Sequence, residues 1–361
     1  MKLVVFGLTI SSAWGNGHAT LWRALCRALH ARGHEVVFFE RDMPYYANHR
    51  DWWGTEWCRL VLYDDWSEVA PAGRRELAGA DVGMVTSYCP DGPAASSLVC
   101  DANVARKVFY DLDAPVTLER LDRGESVPYL PDEGLGEFDL VLSYAGGSAL
   151  HGLRTRLGAR AVAPLYGSVD PALHYPVTPS ADRRNDLSYL GTYADDRQAA
   201  LERLFLVPAR LRPWQRFAIA GAQYPADFPW LPNILYFRHM PPPEHPALFC
   251  SSRFTLNITR AAMAAVGYCP SGRLFEAAAC GVPMISDWWD GLDEFFEPSR
   301  EVLIARDTDD VMRALDLSDE EKARIGRAGR ERTLACHTAD TRANELEHLL
   351  EPRWCGQAGA A

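Results

Sequence analysis

The chain has 361 residues, enough for two domains that each bury a core, and its 48% hydrophobic and 24% charged residues are those of an ordinary globular protein. A net charge of −11 argues against a nucleic-acid partner, which would favour a basic face. Nine cysteines with no C-x-x-C spacing, and no apolar run long enough to span a bilayer, argue against a zinc site, a disulfide framework and an integral membrane protein; reduced thiols in a cytoplasmic protein are expected.

Lys2 to Thr9 is an apolar strand of the parallel-sheet type, followed by the loop S-S-A-W-G-N-G-H and a helix from about Ala19 to Arg32. Glu35 to Glu40 is the next strand, so the chain opens with a β-α-β unit. The dinucleotide fingerprint G-x-G-x-x-G is absent, since only Gly15 and Gly17, flanking Asn16, are suitably spaced, and a dehydrogenase is disfavoured. Aromatics crowd between Tyr45 and Trp66, either as an acceptor-binding surface or as packing of an irregular loop. Asp81 to Thr86 and Arg106 to Asp111 read as further strands. Ligands of open α/β sheets lie outside the carboxyl ends of the strands, which makes Asp111 and Asp113 candidate general bases; Asp before Pro is also a common turn starter. Phe138 to Ser143 and Ala161 to Leu165 complete the first half.

A proline-rich, polar run over 171–186 is the expected linker between a first domain at 1–170 and a second at 187–336. The second repeats the plan of strand, Gly-containing loop and helix: Leu187 to Leu190, then Gly191, Thr192 and Arg197. Phe217 to Ala220, Ile234 to Phe237 and Phe254 to Ile258 are further strands, the last leaving Asn257, Thr259 and Arg260 near its carboxyl end. In S-G-R-L-F-E-A-A-A-C-G-V-P-M-I-S-D-W-W, Ser271 is a helix N-cap, Arg273 to Cys280 are helix formers, and Gly281 is a C-terminal cap before the strand Val282 to Ser286. The amides around Ser271, Gly272 and Arg273 suit a phosphate, and Glu276, read as lying in the helix's first turn, could accept hydrogen bonds from a ribose diol; a capped helix with an acid on its dipole is the plainer alternative. Helices are expected over Ser318 to Cys336 and Ala339 to Leu350.

From Phe254 to Leu350 the motifs L-N-I-T-R, S-G-R-L-F-E-A-A-A-C-G-V-P-M-I-S-D-W-W, F-F-E-P and A-G-R-E-R-T-L-A-C-H-T occur in an order that resembles the C-terminal domain of GT-B glycosyltransferases, in particular the spore-maturation (CgeB-like) group. The resemblance implies an α/β fold of GT-B architecture: two Rossmann-like domains facing across a cleft, with the segment 337–361 returning to the first. It implies transfer of a sugar from a nucleotide diphosphate donor, UDP-sugar first, to an acceptor hydroxyl or amine, with no metal and no other cofactor. It places the opening loop with His18, a candidate base, at the cleft. It also places Gly191, Thr192 and Arg197 on the donor side, His239 and Met240 at the nucleotide base, and Asp287, Trp288 and Trp289 at the donor sugar. Related retaining enzymes carry two glutamates eight positions apart; Glu276 matches the second, and Tyr268 stands where the first would be. A sugar-nucleotide-binding protein without turnover, and a GT-B epimerase, remain the alternatives. A monomer or homodimer is expected.

Overall fold

The computed structural model describes residues 1–15, 17–179 and 184–351; Asn16, part of the expected linker and the tail after 351 lie outside them. The chain divides into two compact units, Met1–Gly167 joined by the segment from Ala339, and Ser168–Thr338. Each is an α/β unit around one parallel sheet.

In the first unit the strands are β1 (Lys2–Gly7), β2 (Glu35–Arg41), β3 (Arg59–Tyr63), β4 (Val82–Thr86), β5 (Arg106–Asp111), β6 (Leu140–Ser143) and β7 (Val162–Pro164). Their order is β3-β2-β1-β4-β5-β6-β7, parallel throughout. Central strands such as Leu3–Phe6 and Val36–Phe39 are buried along their whole length, which is why they read as unbroken apolar runs rather than alternating ones. The sequence reading missed β3, because its flanking aromatics resemble an irregular loop. The C-terminal helix Ala339–Leu350 belongs to this unit: Ala343, Leu346 and Leu350 join the core of Leu25, Leu29 and Val36. Glu347 fixes it to the end of the first helix, accepting from Arg32 Nε at 2.9 Å and lying 2.6 Å from His34 Nε2.

In the second unit the strands are β8 (Asn185–Leu190), β9 (Phe217–Ala220), β10 (Ile234–Phe237), β11 (Ser252–Asn257), β12 (Met284–Ser286) and β13 (Leu303–Ile304). The order β10-β9-β8-β11-β12-β13 is again parallel, over a core of Phe205, Phe217, Phe254 and Ile285. The described part of the 171–186 run belongs to this unit, with His174 buried, and just ahead of the run Val169 donates to the His337 carbonyl. In both sheets the strand order reverses beside the first strand, at β1/β4 and at β8/β11. Such reversals open a crevice at the strands' carboxyl ends, where ligands of this kind of sheet bind.

Candidate functional site

At the β8/β11 reversal the backbone is drawn tight. A Cβ at Gly221, which sits at φ 154°, would fall 2.0 Å from the Gly191 carbonyl oxygen, so only glycine lets the ends of β8 and β9 approach this closely. Three arginines converge here. Arg197 donates from Nη1 to the Thr192 carbonyl at 3.1 Å, while its Nε is buried without a hydrogen-bond partner. Arg273, at the start of the helix Gly272–Ala279, donates from Nε to the Leu190 carbonyl at 2.5 Å and from Nη1 to Ser271 Oγ at 3.4 Å. Arg260 Nε stands 3.5 Å from Asp196 Oδ2. Burial lowers the Arg197 pKa, and repulsion from Arg273 and Arg260 lowers it further. The neighbouring Asp196 pairs with Arg260 rather than Arg197 and accepts from the Ala261 amide at 3.0 Å. Ser271 is the N-cap residue as expected, but its side chain accepts no capping hydrogen bond.

Glu276 lies in the second turn of that helix, not the first. Its Oε2 turns inward, 3.4 Å from His245 Nδ1 and 3.9 Å from His174 Nε2. Burial pushes the carboxyl up, yet His174, His245 and Arg273 together outweigh it and hold the group down at about 2. Neither histidine was singled out in the sequence. His174 sits in the proline-rich run and His245 behind three prolines, both contexts that read as linker and turn.

Several expected donor contacts are occupied by the protein itself. The Asp287 carboxylate accepts from the Thr259 amide and hydroxyl, each at 2.9 Å, so it fixes the turn after β11 rather than pointing free; burial raises its pKa against those two contacts. Asn257 donates to Ser286 Oγ at 3.0 Å and keeps its Oδ1 unpartnered. Trp289 is 2% exposed and packs on Phe295, so it offers no stacking face, whereas Trp288 is 39% exposed. Met240 is buried and its carbonyl lies 3.1 Å from His245 Nε2; the preceding His239 is half-buried. A further aromatic group went unnoticed in the sequence: Tyr224, Phe228, Trp230 and Tyr236 pack ring on ring, and the Tyr224 hydroxyl donates to the Gly191 carbonyl at 3.2 Å.

In the first unit the reversal is lined differently. Glu40, at the end of β2 and fully buried, accepts from Thr9 Oγ1, the Ile10 and Ser11 amides and Ser11 Oγ at 2.6–2.9 Å, which ties down the loop after β1. That loop leads through Gly15, at φ 68°, and Gly17 into the helix that begins at His18. His18 Nε2 lies 3.8 Å from Asp113 Oδ2, an ion-pair distance beyond hydrogen-bonding reach, and its ring lies 5.7 Å from that of Tyr88. Asp111 is wholly buried and cannot meet a substrate: its Oδ1 accepts from the Asp113 amide at 3.0 Å and Oδ2 has no partner of good geometry. Burial raises its pKa to about 6, opposed by the Thr117 and Ser87 hydroxyls and the Asp113 amide. Of the three candidate bases the structure brings His18 and Asp113 together and sets Asp111 behind them.

These two sheets define the class: the chain has the GT-B fold, two Rossmann-like α/β units. Sucrose-phosphate synthase from Thermosynechococcus elongatus superposes with a TM-score of 0.70 at 15% identity, over 97% of this chain and 98% of that one. HepE from Anabaena, in complex with UDP and glucose, gives 0.67 at 12% identity over 97% and 99%, and an alpha-glucosyltransferase in complex with UDP gives 0.69 at 11% over the same shares. By sequence, residues 197–348 match the family described as glycosyl transferase-like. No curated protein matches the chain.

Proposed function

We propose that the protein is a glycosyltransferase that transfers a sugar from a nucleoside diphosphate donor, a UDP-sugar first, to an acceptor hydroxyl or amine. One observation carries the reading: Arg197, Arg260 and Arg273 meet at the β8/β11 reversal beside a helix N-terminus, with Arg197 Nε left unpartnered in a buried setting. In a chain of net charge −11, a cluster of like charges held against its own repulsion is relieved by an anion, and a diphosphate matches the guanidinium fork and the amide end of the helix. The glycosyl transferase-like match spans all three arginines. The Glu276 carboxylate, with Oε2 committed inward, keeps Oε1 for a ribose diol, and the exposed Trp288 supplies a stacking face for the sugar.

In this reaction the acceptor O–H bond breaks and its proton passes to His18. The oxygen bonds to the anomeric carbon, and the bond from that carbon to the phosphate oxygen breaks. The electron pair leaves with the nucleoside diphosphate, whose growing charge the arginines and helix amides stabilise. They take the part a cation would play, so the transfer runs without metal. Tyr268 at the place of the first glutamate of the pair leaves the stereochemical course to product analysis. The motifs S-G-R-L-F-E and F-F-E-P support a kinship with the spore-maturation group as part of this reading. No described helix is long and apolar enough to cross a membrane, and no disulfide joins the described cysteines; a cytoplasmic bacterial enzyme is part of the proposal.

The deciding experiment is a thermal-shift titration with UDP, dTDP, GDP and NAD, each with magnesium and with EDTA. A ligand at a hundred times its dissociation constant adds about 2.7 kcal/mol, an easily visible shift. A shift with one nucleoside diphosphate, equal in both buffers, is expected; silence with all three, or a response to NAD alone, removes the proposal.

A further inference from the structure

The second unit holds a convergence of side chains that donor binding does not account for. His174 comes from the segment before β8, His245 from the helix His245–Cys250 and Glu276 from the helix Gly272–Ala279. One ligand-capable atom from each lies within 4.8 Å of the others. All are unsatisfied: both His174 ring nitrogens, His245 Nδ1 and Glu276 Oε2 are buried with no hydrogen-bond partner. His174 is only 1% exposed, so no solvent compensates it. Buried polar atoms are ordinarily paired, and each orphan costs about 1–3 kcal/mol. Several orphans aimed at one point mark a missing occupant.

Two features say what the occupant is. First, His245 Nε2 lies 3.1 Å from the Met240 carbonyl oxygen, which makes Nε2 the protonated nitrogen and leaves the Nδ1 lone pair directed at Glu276. A histidine held by a backbone carbonyl through one nitrogen and open at the other is the usual support of a metal ligand. Second, the set is two imidazoles and one carboxylate. That donor set suits a borderline divalent transition ion and keeps a position open for water. A tetrahedral ion with bonds of 2.0–2.1 Å separates its ligands by about 3.3 Å. The observed 3.4 Å and 3.9 Å to Glu276 Oε2 need only a small contraction.

We propose that His174, His245 and Glu276 form a binding site for one divalent transition-metal ion of the zinc class, which ties the segment before β8 to the two helices behind the donor site. Glu276 turns Oε2 to the two histidines and keeps Oε1 for the ribose, so a diphosphate held by arginines without metal and a chain that binds one ion are compatible.

The test uses the full chain, stripped with chelator and desalted, then titrated with Zn2+ by calorimetry and with Co2+ by its visible absorption. One ion per chain is expected, with a Co2+ band typical of nitrogen and oxygen ligands. His174→Ala and His245→Ala should each weaken binding by at least about a hundredfold, since ligand loss exceeds the 10–100-fold typical of a supporting residue. Should either alanine variant fail to fold, Glu276→Gln, which keeps the side-chain shape, reads the same loss. Cys250→Ser, which alters the thiol 3.6 Å from the Cys280 carbonyl oxygen, should bind as the wild type does. No stoichiometric uptake by the wild type overturns the proposal. So does uptake that survives both histidine variants, or that disappears with Cys250→Ser. The readout is metal uptake, so failure here is distinguishable from failure of the nucleotide titration.

Discussion

The two sheets share one strand plan and use it in opposite ways. In the first unit the buried acid Glu40 is satisfied: it accepts four hydrogen bonds and ties down the start of the loop that leads to His18. At the β8/β11 reversal of the second, charge is cationic and left partly open, with arginines that repel one another and carry unpartnered donors. A fold fixes where a ligand can sit, but not which ligand. The sign and the satisfaction of the charges there decide that: a satisfied acid organises backbone, an unsatisfied cation cluster awaits an anion.

The comparison is broken most sharply at His18. If the first unit supplies the base, His18→Ala lowers the rate of UDP release from a UDP-sugar by about 10²–10⁴-fold, the range for a positioned base, with the dissociation constant for UDP unchanged. Stopped-time product analysis and a binding isotherm check the two halves. A rate unaffected at equal binding removes the base from this unit.

Glu40→Ala tests the satisfied side. It strands two amides and two hydroxyls in a buried loop, and removing one side of a buried charged network costs about 3–5 kcal/mol. Urea denaturation should show that loss. A change below about 1 kcal/mol, within the ordinary range for surface substitutions, would mean the loop is held elsewhere.

Asp111 gives a pH-dependent version of the same contrast. Its folded pKa is raised by burial to about 6, above the usual carboxylate value, so the folded state holds the proton more tightly than the unfolded chain. The penalty for its charge is therefore absent below about pH 4 and fully present above about pH 6; stability falls by roughly 2–3 kcal/mol across that window as pH rises. Asp111→Asn should flatten this descent, measured as the midpoint of denaturation at pH 4, 5, 6 and 7. An unchanged slope would show that the raised pKa is not the cause.

The architecture was largely legible in the sequence, because parallel strands buried on both faces print continuous apolar runs. Phe217–Ala220 and Ile234–Phe237 were read at their full lengths, and Gly281 at φ 77° takes the cap position its place in the chain suggests. β3 was not legible, since at a sheet edge its residues are only half-buried and its aromatic neighbours mask the run. The site was legible as an address but not as an inventory. Arg197, Arg260 and Arg273 could be placed at strand and helix ends, while side-chain direction could not. Asp287 turned out to hold Thr259, and Trp289 to be core. His174 and His245 could not be found, as nothing in their local spacing shows that two residues 71 positions apart come together; only the packing of the pre-β8 segment on two helices does.

Arg197 is the smallest step and the one that bears most directly on the difference between the units. Its Nη1 spends one hydrogen bond on the Thr192 carbonyl, so an alanine loses that contact as well as any made to a ligand. The two losses separate by what they move. Arg197→Ala should weaken UDP binding by about 1.5–3 kcal/mol, the worth of a hydrogen bond to a charged group, or roughly 10–150-fold in dissociation constant. Stability of the free protein should fall far less, and could rise, because removing one of three mutually repelling cations relieves Arg260 and Arg273. Arg212→Ala serves as the control: that arginine lies in the same unit but is already paired with both oxygens of Asp316. Loss of UDP affinity in Arg197→Ala alone supports an anion site at the β8/β11 reversal. Equal affinity in both variants would return the arginines to the structure of the unit and leave its charge without a ligand.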